Sequence, residues 1–317
     1  MLNYDLVTCI ITCHNQFNTA FNTIRSVLLQ NYNNIELIFA DDGSLNFDKK
    51  KIIEYINFKK NKNITNIHVF AHKKNIGTVK NLNYAIQYSN GKYIIVVHSD
   101  DELYDKDVVS KIVNRFRITN ANIVSCSRMM YDFNTNSEMG LLPDKAFYKS
   151  INKWDSGIKQ FKHFANGHYL DFASGSALYY KKDFFNNIGC FDEEYDLFED
   201  GPFIAKVTRN NIKIATAYDI ISIKYRCNGI SSLKKEKVPI RIYKDYCKIY
   251  DKEFLHYKNM FNFLEYRIIN GRKEITKKLY KNRWYLFLIY PEAFINNIFI
   301  RFEKFFLKYL YKLGVNV

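Results

Sequence analysis

The sequence predicts an α/β fold built on a mostly parallel central sheet flanked by helices. Two patterns carry the prediction. Over the first 130 residues, short β-type runs alternate with segments of helical periodicity, the pattern of a sheet covered on both faces. Three polar clusters, "TCHNQ", "DDGS" and "HSDD", each follow a predicted strand. Right-handed crossovers place the C-terminal ends of parallel strands along one edge, so the three clusters are expected to share a crevice.

Taken in order, "LVTCIIT" (Leu6 to Thr12) is a near-continuous apolar run, as a strand buried on both faces requires. A helix fits Thr19 to Gln30, with Phe21, Ile24, Val27 and Leu28 on one stripe. "IELIFA" (Ile35 to Ala40) gives a second strand and "IHVF" (Ile67 to Phe70) a third, with Ile52, Ile53 and Ile56 at helical core spacing between them. The next helix covers Thr78 to Tyr88, and Asn90-Gly91 turns the chain into "KYIIVV". A helix near Asp107 to Ile118 leads to the strand "NIVSCS" (Asn122 to Ser127). From about residue 131 to 170 the pattern loosens and reads as connecting loops around Trp154, Asn166 and His168. Strand character resumes within Asp171 to Tyr180, then a helix follows Asp200 and a strand is expected at Ile212 to Ala217. Beyond about Val238 the chain is basic, aromatic and helical in period.

Composition bounds the partners. The 317 residues are 47% hydrophobic, enough to bury a large core in one domain with an appendage or in two domains. Lys and Arg total 47 against 32 acids, a formal charge of +15, which points to an anionic partner: nucleic acid, an anionic membrane or a phosphorylated substrate. Cys9, Cys13, Cys126, Cys190, Cys227 and Cys247 are scattered with no CxxC pair. Reduced thiols of a cytoplasmic chain are therefore expected, not a zinc ribbon or a disulfide scaffold. The apolar run near the N-terminus has no basic segment before it and does not read as a signal peptide. The segment from Trp284 to Ile300 is broken by Pro291, Glu292 and two Asn, too polar to span a membrane.

Each cluster alone is ordinary turn chemistry. Asp100 and Asp101 could end a strand, or hold a magnesium-type cation and a ribose hydroxyl. A carboxylate of "ADDGS" could end a turn or accept the imide N–H of a uracil. "HNQ" could simply start a helix. "FED" (Phe198 to Asp200) could be an acidic helix N-terminus or supply a general base. No zinc spacing, Walker loop or Gly-x-Ser-x-Gly occurs.

In order, however, "VTCIITCHNQ", "SVLLQNYNNIELIFADDGS", "NIGTVKNLNYAIQYSNGKYIIVVHSDD", "GSALYYKKDFFNNIGCFDEEYDLFED" and "YRCNGISS" closely resemble the family 2 glycosyltransferases. The resemblance covers about residues 5 to 233 and implies the GT-A fold. It also implies inverting transfer of a sugar, most often from a UDP-linked donor, with a divalent cation (Mn2+ or Mg2+). By position it puts Thr12, His14, Asn15, Asp42, Asn83, Ser99 and Asp100 at the nucleotide sugar, Asp101 and Asp100 at the metal, and Asp200 at the catalytic base. Glu199, Gly175, Ser176 and Trp154 would border the acceptor or support the base. Residues 1–233 would then form the catalytic domain, with the nucleotide-sugar half in about 1–130 and the acceptor half in 131–233. Residues 234–317 would be a helical extension. Two departures stand out: His98 replaces the leading acid of the usual Asp-Ser-Asp-Asp, and Leu82 stands where many members have Arg.

From Gly271 to Val317 there are ten Lys or Arg against three acids. Phe302, Phe305, Phe306, Tyr309, Leu310 and Leu313 recur at three- and four-residue steps, with Lys304, Lys308 and Lys312 on another stripe. Such a helix suits either an anionic membrane surface, which would place the protein on the inner face of the cytoplasmic membrane, or a protein face. The resulting reading is a transferase using a glycan or lipid-linked acceptor in surface-polysaccharide assembly. A non-catalytic nucleotide-sugar or membrane-binding scaffold is the alternative. A nucleic-acid-binding protein is disfavoured, because no binding module is recognisable and the acids gather at strand ends.

Overall fold

The structure, a computed structural model, describes residues 4–168, 172–227, 240–277 and 284–315. Among them nine strands form one sheet: β1 (Val7–Cys13), β2 (Ile35–Asp41), β3 (Ile64–Ala71), β4 (Tyr93–His98), β5 (Glu102–Leu103), β6 (Ile123–Asp132), β7 (Ser137–Leu142), β8 (Leu178–Lys181) and β9 (Ala215–Arg226). Their order in space is β3-β2-β1-β4-β8-β6-β9-β5, with β7 paired to β6. β1 lies parallel to β2 and β4, and β2 parallel to β3. Helices α1 (Phe17–Leu28), α2 (Lys49–Lys59), α3 (Thr78–Gln87) and α4 (Val108–Thr119) connect these strands and lead into β6. This half is the α/β alternation that the sequence predicts.

The other half departs from simple parallel alternation. β8 inserts antiparallel between β4 and β6, while β9 runs parallel to β6 and antiparallel to β5. Tyr93 faces Lys181 and Ile95 faces Tyr179. β8 therefore starts at the same edge where β4 ends, and the two residues before Ala177, Gly175 and Ser176, arrive at that edge. The expected strand at Ile212 to Ala217 starts later, at Ala215, and runs on to Arg226, bringing a cation to the edge.

Alternation along the strands sorts the core into two layers. Val7, Cys9 and Ile11 of β1 join Ile24 and Val27 of α1 on one face, while Ile10, Ile94 and Val96 join Val79, Leu82 and Ile86 of α3 on the other. Leu82, where the family often has Arg, is 1% exposed and serves as packing. At the edge opposite the crevice the fully buried Glu36 accepts hydrogen bonds from Thr8 Oγ1 (2.5 Å), Asn90 N (2.7 Å) and Asn90 Nδ2 (2.8 Å). These bonds outweigh the effect of burial and hold its carboxyl below the usual range.

Of residues 131 to 170, those described, 131–168, are not the loops expected. They form β7 and the helices Tyr148–Asn152 and Gly157–His163, whose Phe147, Ile151 and Phe161 neighbourhood is buried core. The dense aromatics of this stretch extend the core layer that holds Ile10, Val79 and Ile94, which weak periodicity concealed. Trp154, expected at the acceptor, is 6% exposed, stacked on His163 at 4.1 Å and edge-on to Phe172 at 5.5 Å. It is a packing residue. Asn166 accepts at its backbone oxygen from Asn296 Nδ2, and the His168 side chain lies outside the described residues.

The basic C-terminal region is helical, as its periodicity predicts: Ile240–Ile249, Phe263–Lys277, Trp284–Ile289 and Pro291–Lys312. It shares one core with the preceding chain. Phe254 and Phe261 pack on Phe161 at 5.8 and 5.3 Å, and Arg209 pairs with Glu253 at 2.8 Å with both side chains nearly buried. The domain boundary expected at 233/234 lies outside the described residues. No helix among those described is long and apolar enough to cross a membrane.

Candidate active site

The parallel register sets Thr12 level with Ala40 on one side and His98 on the other. The three polar clusters therefore meet at one edge. Thr12 Oγ1 lies 2.9 Å from His98 Nδ1, and His14 Nδ1 lies 2.9 Å from the Asp42 carbonyl oxygen. Asn15 adopts φ 56, a left-handed conformation that Asn tolerates, so that its N–H donates to Ser44 Oγ (2.7 Å) and its Oδ1 accepts from Leu45 N (2.9 Å). Gly43, at φ +65, lets this loop lie against Lys74 and Asn75; a Cβ there would sit 2.2 Å from the Lys74 carbonyl carbon. The result is a polar wall in which His14, Asn15 and Asn75 face solvent.

Asp42 is buried, and its two oxygens accept from Ile76 N (2.7 Å) and Gly77 N (3.1 Å) just ahead of α3. Its carboxylate braces the wall; the exposed polar groups at this end are His14, Asn15 and Asn75. Asn83, expected at the nucleotide, does something else. Its Nδ2 donates to Phe191 O (2.9 Å) and Glu193 Oε1 (3.0 Å), and its Oδ1 accepts from Phe191 N (3.1 Å), so both ends of the amide tie α3 to residues 191–193.

The second cluster sits where β4 ends. Ser99 is fully buried and donates to Gln16 Oε1 at 2.7 Å. Asp101 accepts at Oδ1 from Arg226 N (2.9 Å), while Arg226 Nε donates to the Asp100 carbonyl (3.1 Å). Burial, together with the Asp100 charge beside it, pushes Asp101 up to about 7. Asp100 is only half-buried at the mouth. Among the described residues no group of three or more His, Cys, Asp or Glu forms a protein-only metal cage. The adjacent pair does fit a hard cation that completes its shell with phosphate oxygens, because such a cation would offset the crowded buried charge that raises Asp101. The sequence reading did not single out Arg128. It is 8% exposed on β6, donates through Nη1 to Ser176 Oγ (2.9 Å), lies over the Tyr225 ring at 4.4 Å, and adds positive charge near Asp101. No carboxylate is within ion-pair distance of it among the described residues.

The third cluster comes from the antiparallel half. Asp200 opens the helix Asp200–Arg209 and is 7% exposed. Gly175 N donates to its Oδ2 (2.5 Å) and Gly201 N to its Oδ1 (2.8 Å). Two amides thus fix the orientation of the carboxylate. A Cβ at Gly175 would lie 2.8 Å from Glu199 Oε1 and 2.9 Å from Asp200 Oδ2, so a larger residue there would displace the acid pair. Burial first, then the Asp200 charge, pushes Glu199 up to about 8. Folded Glu199 thus keeps its proton at pH values where the unfolded chain has lost it, and stability falls as pH rises through that window. Glu199→Gln, which cannot ionise, is expected to be about 2–3 kcal/mol more stable than the wild type at about pH 7 and nearly equal to it below about pH 4. Urea midpoints measured across pH check this.

A residue beyond every quoted motif holds this loop. Asp245, 2% exposed on the helix Ile240–Ile249, accepts at Oδ2 from Asp196 N (3.0 Å) and Leu197 N (2.9 Å), and Tyr246 packs edge-on to Phe198 at 4.9 Å. Asp245→Ala is expected to lower turnover by about 10–100-fold through displacement of the acid pair, with donor affinity within about twofold. Steady-state kinetics and donor titration separate the two effects. Of "YRCNGISS", only Tyr225, Arg226 and Cys227 are described.

A profile of "Glycosyl transferase family 2" matches residues 8–189. An uncharacterized glycosyltransferase of Rickettsia conorii is 36% identical over 104 residues, 33% of this chain and 16% of that protein. The Escherichia coli UDP-Glc:alpha-D-GlcNAc-diphosphoundecaprenol beta-1,3-glucosyltransferase WfgD is 27% identical over 151 residues, 47% of this chain and 55% of that one. The match thus spans from a sixth to about half the length of these relatives. Among solved structures, S. aureus TarS 1-349 in complex with UDP-GlcNAc superimposes with a TM-score of 0.58 at 15% identity, covering 89% of this chain and 75% of that one. That likeness concerns the fold.

Proposed function

Because the chain belongs to glycosyl transferase family 2, we propose that it moves a sugar from a nucleotide donor, UDP-linked, to a hydroxyl of a glycan or lipid-linked acceptor in surface-polysaccharide assembly. One observation carries the assignment of roles: the Asp200 carboxylate is held by the Gly175 and Gly201 amides, and the residue after Gly175, Ser176, accepts from Arg128, whose charge lies near Asp101. A base on one side and a charge-stabilising group on the other is what in-line displacement at an anomeric carbon needs.

In this reading the wall of Thr12, His14, Asn15 and Asn75 receives the nucleoside and Asp100 the ribose side, while Ser99, expected there too, is buried behind it and bonded to Gln16. Asp200 takes the proton of the acceptor hydroxyl as its oxygen bonds to the anomeric carbon from the face opposite the diphosphate. The bond to the diphosphate breaks, and configuration inverts. Arg128 and Arg226 face the charge that develops on the leaving group. Asp100 and Asp101 would hold the divalent cation, which supplies Lewis-acid neutralisation of the diphosphate when bound. Residues up to about 130 act on the donor, and those from about 131 to 233 act on the acceptor and carry the base.

The names of relatives support the pathway class: WfgD is one, and a second Escherichia coli relative is described as a putative colanic acid biosynthesis glycosyl transferase. The test is nucleotide release from a panel of UDP- and GDP-sugars with manganese or magnesium and isolated surface-glycan acceptors. Turnover with at least one UDP-sugar is the expected result. Activity only with GDP-sugars would reassign the donor, and silence across the panel would remove the enzymatic reading.

A further inference from the structure

The helix Pro291–Lys312 leaves most of its aromatic side chains pointing outward. Its inner side mixes small, polar and aliphatic groups: Ala293 is fully buried, Leu307 packs against the core, Asn296 Nδ2 donates to Asn166 O (2.9 Å), and Asn297 Oδ1 accepts from Arg272 Nη1 (2.5 Å). Lys308 pairs with Asp144 at 2.9 Å. The outer side carries Phe299, Phe302, Phe305, Phe306, Tyr309 and Leu313, each between 47% and 70% exposed. Steps of three and four residues place them on one continuous stripe. The preceding helix, Trp284–Ile289, extends the patch with Trp284 at 66% and Leu288 at 73% exposure. Single exposed apolar residues are ordinary, but a stripe of this length marks an interaction surface.

We propose that this stripe seats in the interface of an anionic phospholipid bilayer. Three observations select that occupant. Arg301 and Lys312 are exposed on the same helix, and the chain carries a formal charge of +15, so an anionic surface attracts it while a second, like-charged copy is repelled. No described helix is long and apolar enough to span, which leaves an in-plane mode, aromatic face down and cations at the headgroups. The aromatic and leucine side chains sit along the helix length, as a plane requires. Docking of this kind would bring the active site to acceptors presented at a membrane, but it does not depend on the transfer reaction and is read without any donor.

The experiment uses the full chain, co-sedimented with vesicles of phosphatidylcholine alone or with about 30% phosphatidylglycerol at low salt. Binding to the anionic vesicles is expected to weaken at least about tenfold in Phe302→Asp/Phe306→Asp, and also in Arg301→Glu/Lys312→Glu. Thermal melting should be unchanged, because all four side chains are exposed. If the Phe variant fails to fold, the charge-reversed variant decides. A chain that stays in the supernatant, that pellets equally on neutral vesicles, or whose variants bind like the wild type overturns the proposal. So does a dimer that Phe302→Asp dissociates in a chain that ignores vesicles, since the occupant would then be a second copy.

Discussion

Asp200→Asn is expected to lower kcat by about 10²–10⁴-fold while leaving UDP affinity within about twofold. The size of the effect follows from chemistry and its selectivity from geometry. Asn keeps the shape of Asp, and its Oδ1 can still accept one of the two amide bonds from Gly175 or Gly201. What it loses is basicity, so the acceptor hydroxyl keeps its proton as the new bond forms. The clusters around Thr12, His14 and Asp100 come from other elements and are left untouched. Donor binding measured by calorimetry and turnover measured by nucleotide release should therefore diverge. If Asp200→Asn turns over like the wild type, the base lies elsewhere; if the wild type binds a nucleotide sugar and never turns over, the chain is a binding scaffold.

Arg128→Ala is expected to lower kcat by about 10²–10³-fold and to weaken UDP binding as well, in contrast to Asp200→Asn. A guanidinium that is 8% exposed, hydrogen-bonded to a serine hydroxyl and stacked on Tyr225 is costly to desolvate without an anion. The leaving diphosphate would be that anion. The prediction is sharpened by His98: with one customary acid absent from the strand end, more of the leaving-group charge falls to arginine. Arg128→Lys should recover only part of the loss, because an ammonium lacks the planar fork. Comparing kcat and product inhibition by UDP for the three proteins checks both claims.

The strand ends could be read from the sequence because their signal is local. Thr12, Asp42 and Asp100 each follow an apolar run that can only be a buried strand, and the parallel register then brings them together. Asp200 was legible from its place in a motif and Gly175 from the Gly-Ser pair before β8, although the contact between them spans 25 positions. Arg128 left no mark, since an Arg in a strand is ordinarily an exposed residue and its cover comes from distant chain: β7 and β9 flank it, and the Ser176 hydroxyl that accepts from it lies 48 positions away. Trp154 misled for the opposite reason. It was expected at the border of the acceptor, in a weakly patterned stretch, yet local aromatics were numerous enough to bury it. Asn83 was placed correctly on α3, but the partners that claim its amide lie 108 and 110 positions away.

Asp245 sets a limit on how this protein can be divided. The stretch that matches the family profile ends at residue 189, and an expression fragment trimmed after residue 233, past the last of the motifs, would look complete by them. Such a fragment would keep the strand-end clusters but would present Asp196 and Leu197 with two amides facing no acceptor and Phe198 without Tyr246 behind it. Grafting the motif-bearing region into a chimaera, or swapping tails between relatives, would therefore transfer donor recognition without transferring turnover, unless the helix around residue 245 travels with it.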